Sequence, residues 1–83
     1  MIFLIEYDRS QGRVVTFRNF EVSQRKEAEE TRLGIELMLN RKGTDHEVVL
    51  LDAENERALR RTHRRYFENL QQILENKTDR SST

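Results

Sequence analysis

Residues 55–74 run without a glycine or proline, and their apolar side chains recur at helical spacing. Leu59, His63, Tyr66, Leu70 and Ile73 follow one another at steps of four, three, four and three. That spacing keeps side chains on one side of a helix. Ala58, Thr62, Phe67 and Leu74 widen the stripe to the breadth a core-facing helix needs. The spacing predicts a helix of about five turns, with Asn55 as its N-cap and Asp52 as the competing cap. At about 100° per residue, Arg57, Arg60, Arg61, Arg64 and Arg65 fall on the opposite side. They lie near the helix start, where the macrodipole disfavours positive charge. Acidic side chains of a neighbouring element together with solvent can offset this, or an anionic partner can. Charge runs on helices are more often solvated faces, so the first explanation is the default.

Ahead of this segment lie three short runs rich in strand-forming residues and one helical run. Residues 2–8 read as a strand with Ile2 and Leu4 on one face and Phe3, Ile5 and Tyr7 on the other. Apolar character on both faces marks a central strand. Residues 8–12 form a turn in which Gly12 supplies positive φ. Residues 13–20 read as the return strand, with Val15 and Phe17 on one face and Val14, Thr16 and Arg18 on the other. Phe20 and Val22 break that alternation, which predicts a bulge or strand end near Asn19. Ser23 is the expected cap of a helix reaching Arg41 or Lys42, with Glu27, Glu29 and Glu30 placed where the dipole favours negative charge. Ala28, Thr31, Ile35, Met38 and Leu39 form its main stripe, and Leu33 and Leu37 a second one. A helix apolar on two sides packs against two things. Gly34, between the stripes, either allows close backbone approach or is simply tolerated. Gly43 is the expected C-cap. Residues 46–51 read as a third strand, again apolar on both faces.

The resulting order, ββαβα, predicts an α+β domain over residues 1–76 with a flexible tail at 77–83. The expected architecture is two-layer: a three-stranded mixed sheet in spatial order 2-1-3, packed with two helices. If both helices lie on one face they run parallel, and Glu27, Glu29 and Glu30 sit near Arg57, Arg60, Arg61 and Arg64. The other face of the sheet is then bare, and large bare apolar faces are rare on monomers. Either the last helix swings across to cover it, or a second copy does. Two-fold dimers are the commonest assembly, so a homodimer is expected, formed through the sheet face or through Leu33 and Leu37.

Composition narrows the function. The 83 residues hold fifteen basic and fifteen acidic side chains, two histidines and no cysteine. There is no global field to draw in nucleic acid or membrane, no disulfide and no thiolate metal site. The apolar start is too short for a signal peptide or a membrane span, so a cytoplasmic protein is expected. No phosphate loop, nucleophile elbow or metalloprotease motif is present. His63, Tyr66 and the arginines could form an RNA-cleaving set of base, acid and phosphate clamps, but residues of intermediate polarity on an apolar stripe more often pack. Glu6, Asp8, Asp52 and Glu54 could hold Mg²⁺ if they converge. Acidic residues at strand ends are ordinary, and Asp8 opens a turn. No catalytic residue, metal or cofactor is expected. The expected function is a non-enzymatic, homodimeric protein-interaction module. The alternative is nucleic-acid or other polyanion binding through Arg57, Arg60, Arg61, Arg64 and Arg65.

Overall fold

Every side chain from Ile2 to Glu6 is buried, and the rest of the molecule is laid around that strand. The computed structural model describes residues 1–67. The expected helix positions Leu70, Ile73 and Leu74 and the expected tail at 77–83 lie outside them. In order, the elements are β1 (Ile2–Asp8), β2 (Arg13–Phe20), a 3-10 turn (Val22–Gln24), α1 (Arg25–Lys42), β3 (His46–Asp52), α2 (Glu56–Thr62) and a second 3-10 turn (Arg64–Tyr66). The sheet order is β2-β1-β3, as expected from the two-sided apolar character of β1.

Both neighbours run antiparallel to β1. The sheet is therefore antiparallel rather than mixed. The crossover through α1 does return β3 in the direction of β2, but β1 lies between them and the two parallel strands never pair.

The helices take opposite faces. Ile2, Leu4, Phe20 and Ala28 form one core, flanked by Ile35, Val48 and Leu50. Phe3, Ile5, Leu59 and Tyr66 form the other, flanked by Tyr7, Val14, Phe17, Val49, Leu51, Ala53 and Phe67. The two-layer expectation thus gives way to a sheet covered on both sides. Fully burying a side chain such as Phe3 or Ile5 is worth about 2 kcal/mol, which a bare second face would forfeit. Coverage by α2 and the turn after it removes the bare face from which a homodimer was expected.

The register of β1 on β2 runs from Ile2 opposite Phe20 to Glu6 opposite Thr16, then shifts so that Tyr7 faces Val14. The bulge is therefore at Val15, while near Asn19, where a bulge or strand end was expected, the strand ends at Phe20. One extra residue exchanges the faces of everything beyond it. Val14 joins Phe17 on the α2 side, and Val15 is left half exposed.

The helix ends follow local chemistry. Ser23 lies inside the first 3-10 turn rather than capping α1; the Glu21 N–H donates to Gln24 Oε1 at 2.9 Å. Gly43 ends α1 with φ 66°, and Gly12 closes the β1–β2 turn at the same φ. Asn55 is the cap of α2, its Oδ1 accepting from the Ala58 N–H at 2.8 Å. Asp52 instead pairs with Arg25 at 2.7 Å. The long final helix breaks after Thr62, where His63 takes φ −125° and ψ 51°. Thr62 Oγ1 bonds back to the carbonyls of Ala58 and Leu59 at 3.0 and 3.3 Å, a pattern that bends helices. The break lets Tyr66 meet Tyr7 edge-on at 5.4 Å and Phe67 meet Phe17 at 5.6 Å.

Candidate functional site

Arg57, Arg60 and Arg61 project from α2 and Arg64 from the turn that follows. With Phe67 they line one open hollow of about 480 Å³. Its floor is anchored in the core. Phe3 stacks on Phe17 at 5.7 Å, Phe17 meets Phe67, and the Arg60 guanidinium lies 4.5 Å above the Phe67 ring. Glu56 holds the Arg60 Nε at 3.2 Å from the preceding helical turn. Arg60 is thus pre-positioned by stacking and by an ion pair, both of which leave part of its planar donor fork available. Arg57 and Arg61 are exposed and make no ion pair with the described residues.

The fifth arginine points elsewhere. Arg65 donates to Glu47 Oε2 at 2.9 Å and to the Tyr66 hydroxyl at 2.6 Å, and its guanidinium covers the Tyr66 ring at 4.3 Å. The Tyr66 hydroxyl itself donates to Glu47, and Arg9 approaches the other carboxylate oxygen at 3.6 Å. The Tyr66 hydrogen bond, with Arg65 and Arg9, holds the Glu47 carboxyl below its ordinary range against the opposing effect of burial. Burial, then the bond to Glu47, pushes the Tyr66 phenol up. An unbroken helix would have grouped Arg65 with the other four; the break at His63 divides them between hollow and clamp.

Glu27, Glu29 and Glu30 cannot neutralise the hollow, because α1 is on the far side of the sheet. Among the hollow's arginines, Arg60 is paired with Glu56.

The remaining candidates disperse. His63 and Tyr66 have ring centroids 6.4 Å apart, but the Tyr66 hydroxyl is committed to Glu47. The four carboxylates considered for Mg²⁺ do not converge. Asp8 lies opposite His46 and Asp52 opposite Ile2, at opposite ends of the sheet. Asp8 Oδ1 accepts from the Ser10 N–H, the Ser10 hydroxyl and the Gln11 N–H at 3.0, 2.7 and 3.2 Å. The Ser10 bond is the main reason its carboxyl is held low. Leu33 and Leu37 are 54% and 55% exposed on the outer face of α1, and Met38 is 46% exposed.

A polar cluster escaped the sequence reading. Buried Glu6 accepts from the Thr16 hydroxyl at 2.7 Å and lies 2.7 Å from His46 Nδ1, while His46 Nε2 is 3.6 Å from Asp8. Two acidic residues on the same face of the most apolar strand were the available signal. No set of three His, Cys, Asp or Glu among the described residues is grouped as a metal ion requires. No helix among them is long and apolar enough to cross a membrane. No protein-family model, curated protein or solved structure matches the chain.

Proposed function

We propose that this chain is a non-enzymatic binding module for an anionic polymer, nucleic acid being the best fit, held in the hollow of Arg57, Arg60, Arg61, Arg64 and Phe67. One observation carries the proposal: four arginine side chains line one concavity, on the face of the sheet opposite the acidic half of α1. Backbone phosphates are the natural occupants. Guanidinium forks match phosphate geometry, and four contacts of this kind give sequence-independent affinity that falls with salt. Arg65 is left out of this site, since it does not line the hollow and is turned to Glu47 and Tyr66.

Anisotropy titrations with a labelled single-stranded oligonucleotide at low salt test the proposal. The double variant Arg57→Glu/Arg61→Glu should bind at least about tenfold more weakly, since two phosphate contacts become repulsions. Lys26→Glu, an equal change of charge per site on α1, should leave binding within about twofold. Equal losses in both would mean that only net charge matters, and the hollow would have no role.

A second reading, self-association as a homodimeric protein-interaction module, is favoured by a separate observation. The outer face of α1 exposes Leu33 and Leu37, and Met38 to one side of them is also exposed, although both sheet faces are covered.

A further inference from the structure

The outer face of α1 carries its own instructions for what it meets. At about 100° per residue, Lys26, Glu30, Leu33, Leu37 and Arg41 point away from Ala28, Ile35 and Leu39, which face the sheet or are buried. The order along that outward line is acidic, apolar, apolar, basic: Glu30, Leu33, Leu37, Arg41. Neither Glu30 nor Arg41 makes an ion pair with the described residues, and both are exposed.

We infer that α1 pairs antiparallel with α1 of a second copy of this chain, about a two-fold axis crossing the helix near Ile35. The inference rests on the self-association reading above and adds the surface, direction and register. Leu33 and Leu37 lie two residues either side of Ile35, so each leucine of one copy meets the other leucine of its partner. Glu30 lies five residues before that axis and Arg41 six after it. Across an antiparallel pair they come level to within one residue, a rise of about 1.5 Å. Each end of the contact is thus closed by a Glu30–Arg41 pair, one from each copy. A parallel pair would set Glu30 beside Glu30 and Arg41 beside Arg41, like against like at both ends.

The neighbouring surface fits this occupant. An open hollow of about 470 Å³ runs beside the first half of α1, lined by Lys26, Glu29, Glu30, Arg32 and Leu33. The partner's Leu37 and the stem of the partner's Arg41 are the side chains that the two-fold brings there. Arg32 Nε, on the wall of that hollow, is a buried donor with no hydrogen-bond partner. Nothing lies within 4 Å of a Cβ built on Gly34, so the helix surface beside Leu33 is open to close approach. A single helix pair is at the small end of protein interfaces, so the dimer forms and dissociates with concentration. Because α2 lies on the other side of the sheet, pairing through α1 leaves both arginine hollows open.

Sedimentation equilibrium over a range of concentrations tests the reading and the inference separately. The wild type should shift from monomer to dimer as concentration rises. Leu33→Glu/Leu37→Glu should stay monomeric throughout, with an unchanged circular dichroism melt because both side chains are already exposed. Glu30→Arg alone and Arg41→Glu alone should each weaken the dimer by roughly tenfold. The combined swap Glu30→Arg/Arg41→Glu should restore it, since the pairs re-form with charges exchanged. A wild type that remains monomeric at every concentration overturns both the reading and the inference. A dimer that ignores the leucine changes, or that the combined swap fails to restore, overturns the antiparallel α1 pairing and leaves self-association standing.

Discussion

Leu59 is fully enclosed by the second core, and it is the one fully buried side chain that α2 contributes. Truncation to alanine should cost about 3 kcal/mol, read as a lower urea midpoint; a loss under about 1 kcal/mol would mean that α2 is not docked as described. His46 matters for a different reason. Removing its ring leaves the buried Glu6 carboxylate with Thr16 alone, so His46→Ala should cost about 1–3 kcal/mol. His46→Ala combined with Glu6→Leu should recover part of that loss, since an apolar pair avoids the orphaned charge. The two glycines of the α1 region make a contrast. Gly34 sits inside α1 with open space around it, so Gly34→Ala should stabilise by about 0.5–1 kcal/mol through helix propensity alone. Gly43 has equal space but φ 66°, so Gly43→Ala should destabilise by about 1 kcal/mol. Urea titrations of the pair that showed the same sign for both would contradict this account of backbone conformation.

Among the elements, the turn after α2 is held by a charge-dependent clamp. Glu47, whose value is lowered, contributes stability that is fully present above the ordinary glutamate range and lost as pH falls through the lowered value. Tyr66, whose value is raised, contributes stability that is fully present below the ordinary tyrosine range and lost as pH rises through the raised value. Docking of the turn onto β3 is therefore firmest between those ranges. Tyr66→Phe removes the bond that does most to lower Glu47 and should flatten the acid limb of a plot of melting temperature against pH. An unchanged acid limb would show that the clamp contributes nothing.

The same elements show what a linear pattern carries. Two-sided apolar character placed β1 in the centre, and Gly12, Gly43 and Asn55 marked their turns and caps, because each is decided by residues close in sequence. The bulge was not legible: Val14 and Val15 are both apolar and β-branched, and alternation cannot say which of two such neighbours is the extra one. Nor was the break at His63, since the helical spacing of Leu59, His63 and Tyr66 continues through it. The contacts that the break allows, Tyr66 with Tyr7 and Phe67 with Phe17, join residues far apart along the chain. The arginine set was legible, but its division was not. Sending Arg65 to Glu47 while the other four line one hollow depends on that break and on the side of the sheet α2 occupies.

At the scale of the whole molecule, the two exposed surfaces are separated by the sheet. The α1 face has balanced charge and suits a second copy, while the α2 face is cationic and suits an anion. A dimer through α1 would present two arginine hollows, and a long oligonucleotide engaging both gains avidity without new contacts. The Leu33→Glu/Leu37→Glu variant should then match the wild type on a short oligonucleotide and fall well below it on a long one. The central claim, that the hollow takes phosphates, is most directly tested by the salt dependence of single-strand binding. Four phosphate contacts predict a slope of log K against log salt of about −3, reduced to about −1 in Arg57→Glu/Arg61→Glu. A slope near zero, or one that this double variant leaves unchanged, would contradict the assignment of the hollow to an anionic polymer.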